Sequence, residues 1–316
     1  MDGSRLLPLV VILGPTAVGK TGAAIELALR LDGEVVSADS RLFYRGMDIG
    51  TAKPALEERA GVPHHLVDVS DPEQTWSLAV FQEQARRAIS EIHQRGKLPF
   101  LVGGTGQYVR AVVHGWKPPQ VEPDPRLRAA LEAWAARIGP AGLHARLARL
   151  DPDAAQSIDY RNLRRTVRAL EVIFSTGRLF SSQRVSEPAS YRLLQLGLTL
   201  PRPELYERID ARIEAMLEQG LVEEVQELLQ DGYSPELPSF SAIGYREISA
   251  YIQGEISLEE ARELMKRNTR AFVRRQANWF KLSDPQIHWF QPGPEALEAM
   301  ERLIRDTFSD WVPGKS

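Results

Sequence analysis

The 316-residue chain contains no cysteine. That excludes disulfides, thiolate metal sites and cysteine nucleophiles, and it suits a reducing cytoplasm, the expected location. Long apolar runs are also missing. The longest, Leu6 to Leu13, is interrupted by Pro8 and closed by Gly14-Pro15. A membrane helix needs about 20 apolar residues, so this run reads as a buried strand, and Asp2 does not suit a signal peptide. No membrane association is expected. An excess of either charge is absent too: 39 basic and 42 acidic residues leave a net charge of −3. No internal repeat or low-complexity segment interrupts the composition, which is that of a globular protein, 43% hydrophobic and 26% charged.

What is present is charge in clusters. Arg161, Arg164, Arg165 and Arg168 lie close together with Asp159 as the nearby acid. Between Arg262 and Lys281 seven basic residues, Arg267, Arg270 and Arg274 among them, face one acid, Glu263. Arginine suits bidentate phosphate contacts and stacking on bases. A nucleic-acid surface and a solvated helix face balanced by acids between Glu204 and Asp231 are both consistent with this pattern. On a helix through Met265 to Phe280, Met265, Phe272 and Trp279 form one stripe and Arg267, Arg270 and Arg274 the opposite one. The apolar stripe reads as core before it reads as a stacking platform.

Strand-like runs at Leu7–Leu13, Glu34–Ala38, His65–Val69 and Pro99–Val102 alternate with helical patterns at Thr21–Leu31, Ser77–Gln94 and Thr105–His114. Such alternation predicts a parallel sheet covered by helices. "GWKPPQVEPDP", Gly115 to Pro125, breaks the pattern, and from Asp124 to about Arg184 the chain reads helical, with stops at Gly139-Pro140, Asp151-Pro152 and Gly177. Leu193–Leu200 and Ile287–Phe290 return to strand character. The fold class expected is α/β, a phosphate-loop-containing parallel sheet flanked by helices. An all-helical insertion at 121–189 interrupts a core of 1–120 and 190–316.

"GPTAVGKT", Gly14, Pro15, Thr16, Ala17, Val18, Gly19, Lys20 and Thr21, has the form G-x-x-x-x-G-K-[ST] between a strand and a helix. Its glycines let successive N–H groups wrap an oxyanion, Lys20 adds a point charge, and the Thr21 hydroxyl suits Mg²⁺ or a phosphate oxygen. Most such loops serve ATP or GTP. Hydrolases of that type carry a second strand ending in Asp to hold Mg²⁺. The best-placed strand here ends instead in Gly103-Gly104-Thr105. The acid at a strand end nearest the loop is Asp39, which parallel-strand geometry brings to the same crevice. It reads either as a catalytic or metal-binding group or as a turn cap with Ser40. His64-His65 lacks partners at ligand spacing and reads as a structural pair.

Taken in order, "GPTAVGKT", "SADSRLFYRGMDIGTAKP", "HHLVDVSDP", "LVGGTGQYVRAV", "RRTVRALEV", "SAIGYREI" and "TRAFVRRQANWF" resemble the tRNA dimethylallyltransferases over about Leu9 to Phe290. Leu42 and Gln107 depart from the usual Gln and Leu. The resemblance implies transfer of the five-carbon group of dimethylallyl diphosphate to the exocyclic N6 of adenosine immediately 3′ of the anticodon. The loop would then hold an isoprenoid diphosphate with Mg²⁺ at Thr21, and Asp39 would act as general base. Arg212 would bind the leaving diphosphate; without the resemblance it reads as a partner of Arg208 and Glu214 on a solvated helix. The tRNA-contacting positions implied are Asp39, Ser40, Arg41, Leu42, Thr105, Arg164, Arg165, Arg168, the segment Ser241, Ala242, Ile243, Gly244, Tyr245 and Arg246, and the arginine face of Arg267, Arg270 and Arg274. A monomer acting on the anticodon stem-loop is expected, of bacterial type, since the cysteine-bearing zinc tail of some eukaryotic relatives has no counterpart here. A small-molecule kinase using ATP, a transferase acting on free adenine nucleotides, and a non-enzymatic RNA-binding protein are the competing readings.

Overall fold

A computed structural model describes residues 6–117, 119, 121–122, 124–183, 185–186 and 190–311. The chain divides into two compact units, residues 1–113 with 189–316, and residues 114–188. In the first, β1 (Leu7–Leu13) is buried at every position but its first. Leucine and valine on both faces suit a central strand of a parallel sheet, where neither face meets water. The chain then runs through α1 (Lys20–Arg30), β2 (Gly33–Ser37), β3 (His64–His65), α2 (Leu78–Gln94), β4 (Leu98–Gly103) and α3 (Gly106–Val113).

The second unit contains β5 (Trp116–Lys117), α4 (Pro125–Leu150), α5 (Pro152–Ser157), α6 (Leu163–Thr176) and β6 (Val185–Ser186). Asp124 caps α4 by accepting from Arg126 N and Leu127 N. Gly139 at φ 77°, ψ 160° breaks the helix just before Pro140, whose ring cannot continue the ladder. Leu131, Leu143, Leu147, Val167 and Leu170 form the unit's own core. Within it Glu171, fully buried, accepts from Arg128 Nε and Nη2, both at 3.0 Å, and from Arg168 Nη1 at 2.7 Å. Arg168, half-buried, thus tethers α6 through Glu171 and Val121 O. Contrary to an all-helical reading, β5 and β6 pair as a short antiparallel ribbon. Of the proline-rich break, Pro118, Gln120 and Pro123 lie outside the described residues.

The first unit resumes with β7 (Tyr191–Leu198), α7 (Arg202–Glu218), α8 (Leu221–Gln230), α9 (Tyr245–Ile252), α10 (Leu258–Ala277), β8 (Ile287–Phe290) and α11 (Pro294–Thr307). Its six strands are parallel, in the order β3-β2-β4-β1-β7-β8. Val10, Ile12, Phe100 and Leu194 join one core with α1, α7–α11 and Met47. Alternate positions such as Leu9, Val11 and Leu101 point to the opposite face, as a pleated strand requires. The strand expected at His65–Val69 ends after His65, because Leu66 and Asp68 adopt positive φ (61° and 56°) and leave the ladder.

Because all strands run one way, the loops after β1, β2, β4 and β7 leave from one edge, the usual ligand crevice of such sheets. They are packed against each other through glycine. A Cβ on Gly14 would lie 2.4 Å from Leu198 O, and one on Gly103 would lie 2.4 Å from Ala38 O. Ala38 N also donates to Val102 O at 2.7 Å, so β2 and β4 stay paired up to Asp39. Gly103→Ala is expected to destabilise the fold by about 1–3 kcal/mol, the usual cost of overpacking against atoms that cannot move aside. Urea unfolding of the variant checks this; an unchanged midpoint would show that the two loops can separate without cost.

Candidate active site

The phosphate loop turns through Gly14 (φ 146°), Ala17 (φ 63°) and Gly19 (φ 97°), the last being the N-cap of α1. Val18 is buried and offers the crevice only its backbone. Thr16, Ala17, Gly19, Lys20 and Thr21 line a cavity of about 490 Å³ together with Ser37, Asp39 and Arg212. Free N–H groups and the positive end of the α1 dipole make this an anion site before any side chain is counted.

Two cations reinforce it. Lys20 Nζ donates to Pro15 O at 2.6 Å, and burial lowers its pKa from 10.5 to about 8, with Asp39 opposing that shift and Arg212 adding to it. Arg212 is likewise shifted down by burial, against the pull of Asp39. Among the described residues neither cation makes an ion pair with a carboxylate. Arg212 thus departs from the solvated-helix reading: Arg208 pairs with Glu204 at 3.0 Å, and Glu214 with Lys266 at 2.7 Å, while Arg212 turns inward. Its place follows from α7 spacing, since Ile209, Arg212, Ile213 and Met216 fall on one face.

That face borders a second cavity of about 300 Å³, also lined by Thr16, Ala17, Asp39, Ser40, Arg41, Thr105, Ser241, Ile243, Met265 and Phe272. The two cavities share Thr16, Ala17, Asp39, Thr51 and Arg212. An anion site and a mixed site, apolar on its Ile209, Ile213 and Met216 side, therefore meet at one carboxylate. Asp39 Oδ1 accepts from Arg41 N at 3.1 Å, which fixes the turn that presents it. The Arg41 guanidinium donates to Pro238 O at 3.2 Å, Ser239 O at 3.3 Å and Ser241 Oγ at 3.1 Å, so Ser241 and Asp39 are held to one another. Leu42 lines the anion side.

Several expected contacts turn out to be supports. Tyr245 is fully buried, its hydroxyl donating to Glu224 Oε1 at 2.6 Å. The other Glu224 oxygen accepts from Asp48 N and Ile49 N at 2.9 and 2.7 Å, and Gly50 N donates to Oε1 at 3.2 Å. The "DIGT" turn is thereby fastened to α8, and Thr51 is placed at the crevice. Tyr245 is corrected from a surface contact to an interior anchor. Gly244 (φ 103°) and Ala242 are also buried, while Ser241 and Arg246 are exposed and Ile243 is half-buried. Sequence reading missed Glu224, one of two adjacent glutamates with nothing local to single it out. Gln276, within "RRQANWF", carries no local sign of its partner either; Thr16 N donates to its Oε1 at 3.0 Å.

Arg164, Arg165, Arg267 and Arg274 are exposed. Arg270 is engaged by Asp210 and lies 5.3 Å over the Tyr206 ring, so it belongs to the α7–α10 contact. Met265 is core, whereas Phe272 is half-buried on the cavity wall and Trp279 packs on Gly106. His64 Nδ1 lies 2.8 Å from Val62 O and His65 Nε2 2.7 Å from Glu34 Oε2. Among the described residues no group of three His, Cys, Asp or Glu could hold a metal. The exposed Thr21 hydroxyl and Asp39 line one cavity, a sparse set that fits Mg²⁺ when phosphate oxygens and water complete its shell.

A family model described as IPP transferase matches residues 42–283. The chain belongs to that family. A tRNA dimethylallyltransferase of Roseiflexus sp. is 56% identical over 276 residues, covering 87% of this chain and 90% of the relative. Among solved structures, the tRNA isopentenylpyrophosphate transferase of Bacillus halodurans superposes on this member of the family with a TM-score of 0.72 at 43% identity, covering 96% and 97% of the two chains. A eukaryotic dimethylallyltransferase acting on tRNA gives a TM-score of 0.80 at 28% identity, covering 98% of this chain and 81% of its own.

The Lys20 shift has a measurable consequence. An alkyl diphosphate is fully ionised above pH 8, and its binding favours charged Lys20. Affinity should therefore be flat below pH 8 and fall by up to about tenfold per pH unit above it, where Lys20 of the empty site is neutral. Calorimetric titration between pH 7 and 9.5 reads this. In Lys20→Gln the affinity should be lower at pH 7 and the slope absent; a slope that persists would assign the proton to another group.

Proposed function

We propose that the chain transfers the dimethylallyl group of dimethylallyl diphosphate to the exocyclic N6 of adenosine beside the anticodon of tRNA, releasing diphosphate. The observation that carries this reading is the junction itself: an anion site holding Lys20 and Arg212, neither paired with a carboxylate among the described residues, adjoins at Asp39 a mixed cavity with an apolar side of Ile209, Ile213, Met216, Ile243 and Phe272. The names borne by the relatives, tRNA dimethylallyltransferase and tRNA isopentenylpyrophosphate transferase, agree with it over the kinase and free-nucleotide alternatives.

An allylic carbon loses diphosphate readily because its developing positive charge is shared along the double bond. What slows the step is the charge building on the leaving oxygen. Loop N–H groups from Ala17 to Thr21, Lys20 and Arg212 would receive that charge. Mg²⁺ held by the Thr21 hydroxyl and diphosphate oxygens would neutralise part of the remainder. Ile209, Ile213 and Met216 line the cavity beside Asp39 and would pack against the five-carbon group. The amine of adenine is a weak nucleophile, its lone pair delocalised into the ring, and it attacks when a proton leaves as the C–N bond forms. Asp39 accepts that proton. Thr105, Ser40 and Phe272 line the same cavity, which supports contacts to the base there.

N6 lies on the pairing edge, so the adenosine must leave its stack, at a cost of a few kcal/mol that contacts elsewhere on the stem-loop offset. Exposed Arg267 and Arg274 on α10, and Arg164 and Arg165 on α6, supply candidates for those contacts. The enzyme is read as a cytoplasmic monomer.

The first test offers radiolabelled dimethylallyl diphosphate to unmodified anticodon stem-loop RNA and to free AMP in parallel. Label is expected in the RNA alone; label in AMP would move the activity to free nucleotides. Asp39→Ala should lower kcat by about 10²–10⁴ while stem-loop affinity stays within a few-fold, and unchanged turnover would remove Asp39 as base. Arg267→Ala with Arg274→Ala should reduce the slope of log affinity against log salt by about 1–2. The same slope as wild type would place those side chains away from RNA.

A further inference from the structure

The side-chain amide of Gln276, only 4% exposed, bridges two loops of the crevice. Its Oε1 accepts from Thr16 N at 3.0 Å, and its Nε2 donates to Gly104 O at 3.0 Å. The amide's orientation is forced, since a backbone N–H only donates and a carbonyl only accepts. Its position is forced as well: a Cβ on Gly104 would fall 2.3 Å from Gln276 Nε2 and 3.1 Å from Gly14 O.

A phosphate loop binds through its backbone N–H groups, so the number and placement of free donors limit the anion it can hold. Here the leading end of the loop is closed. Pro15 has no N–H, and its carbonyl accepts from Lys20 Nζ at 2.6 Å. Thr16 N is taken by Gln276. The loop donors that remain run from Ala17 to Thr21, gathered at the N-terminus of α1. We infer that Gln276 determines polyphosphate length: by occupying Thr16 N it fits the loop to a diphosphate and withholds the donor that a third phosphoryl group needs. The inference rests on the proposed diphosphate site and gives that site a means of refusing the nucleoside triphosphates that loops of this form commonly take.

The experiment is calorimetric titration of the full chain, with Mg²⁺, by inorganic diphosphate and by inorganic triphosphate. Gln276→Met keeps the length of the side chain and removes both hydrogen bonds. Wild type should bind diphosphate the more tightly. In Gln276→Met the ratio should shift toward triphosphate by about fivefold or more, the worth of one released donor. Gln276→Glu keeps an acceptor on Thr16 N, so both anions should weaken together, with the ratio preserved and the loss recovering as pH falls and the carboxylate protonates. A mere loosening of the loop would weaken both anions in Gln276→Met without moving the ratio, and a ratio within twofold of wild type in that variant overturns the assignment. Dimethylallyl transfer by wild type is read separately. Failure of transfer with the shift in ratio intact would remove the proposed reaction and leave the role of Gln276 standing.

Discussion

Two half-buried cations on one crevice, Lys20 and Arg212, without a carboxylate partner among the described residues, are what the rest of the structure has to accommodate. Lys20 and Arg212 both lose hydration, and burial pulls both pKa values down. The N-terminus of α1 adds a partial positive charge rather than relieving them. An empty site of this kind is electrostatically unfavourable, and any oxyanion that enters relieves it. Under the proposed function, affinity for the donor and acceptance of the leaving group would be one property of the site, because the charge that attracts a diphosphate also stabilises it as it departs. Asp39 is near enough to temper the repulsion and lies where the two cavities join.

Such an arrangement persists only on a rigid frame. Parallel strands bring the loops together, but their register at the crevice is set by absences of side chain at Gly14 and Gly103 and by fully satisfied polar side chains around them. Glu224 takes three backbone N–H groups and a tyrosine hydroxyl; Lys53 is drawn to Tyr44 O, Asp48 and Asp68. Networks with every member paired specify a single geometry, whereas partly paired ones do not.

Much of the core was legible in sequence because its signals are local. The β1 run, the G-x-x-x-x-G-K-T loop and the alternation of strands and helices each declare themselves within a dozen residues. Asp39 was legible by topology, since parallel strands end together. Gln276 and Glu224 were not, because their partners lie 260 residues away for Thr16 and about 175 residues away for the "DIGT" turn, and an isolated Gln or Glu carries no sign of such a bond. The ion pairs of Arg168 and Arg270 were not legible for a related reason. A cluster of arginines marks a basic stretch of sequence, but which members meet Glu171 or Asp210 is decided by packing. The strand expected through Val69 failed on backbone conformation alone, at Leu66 and Asp68.

β1 lies between β4 and β7, and Leu7 is paired with Tyr191. When the first hundred residues leave the ribosome, β1 can already pair with β4, yet its other edge has no partner until the whole 114–188 unit has been made. That unit has its own core, and throughout its synthesis the nascent chain carries one open apolar strand edge. Sheet closure across so large a separation in sequence is slow. A chain built this way is exposed to aggregation mainly during its synthesis, and the demand for chaperone protection is greatest before Tyr191–Leu198 arrives to complete the sheet.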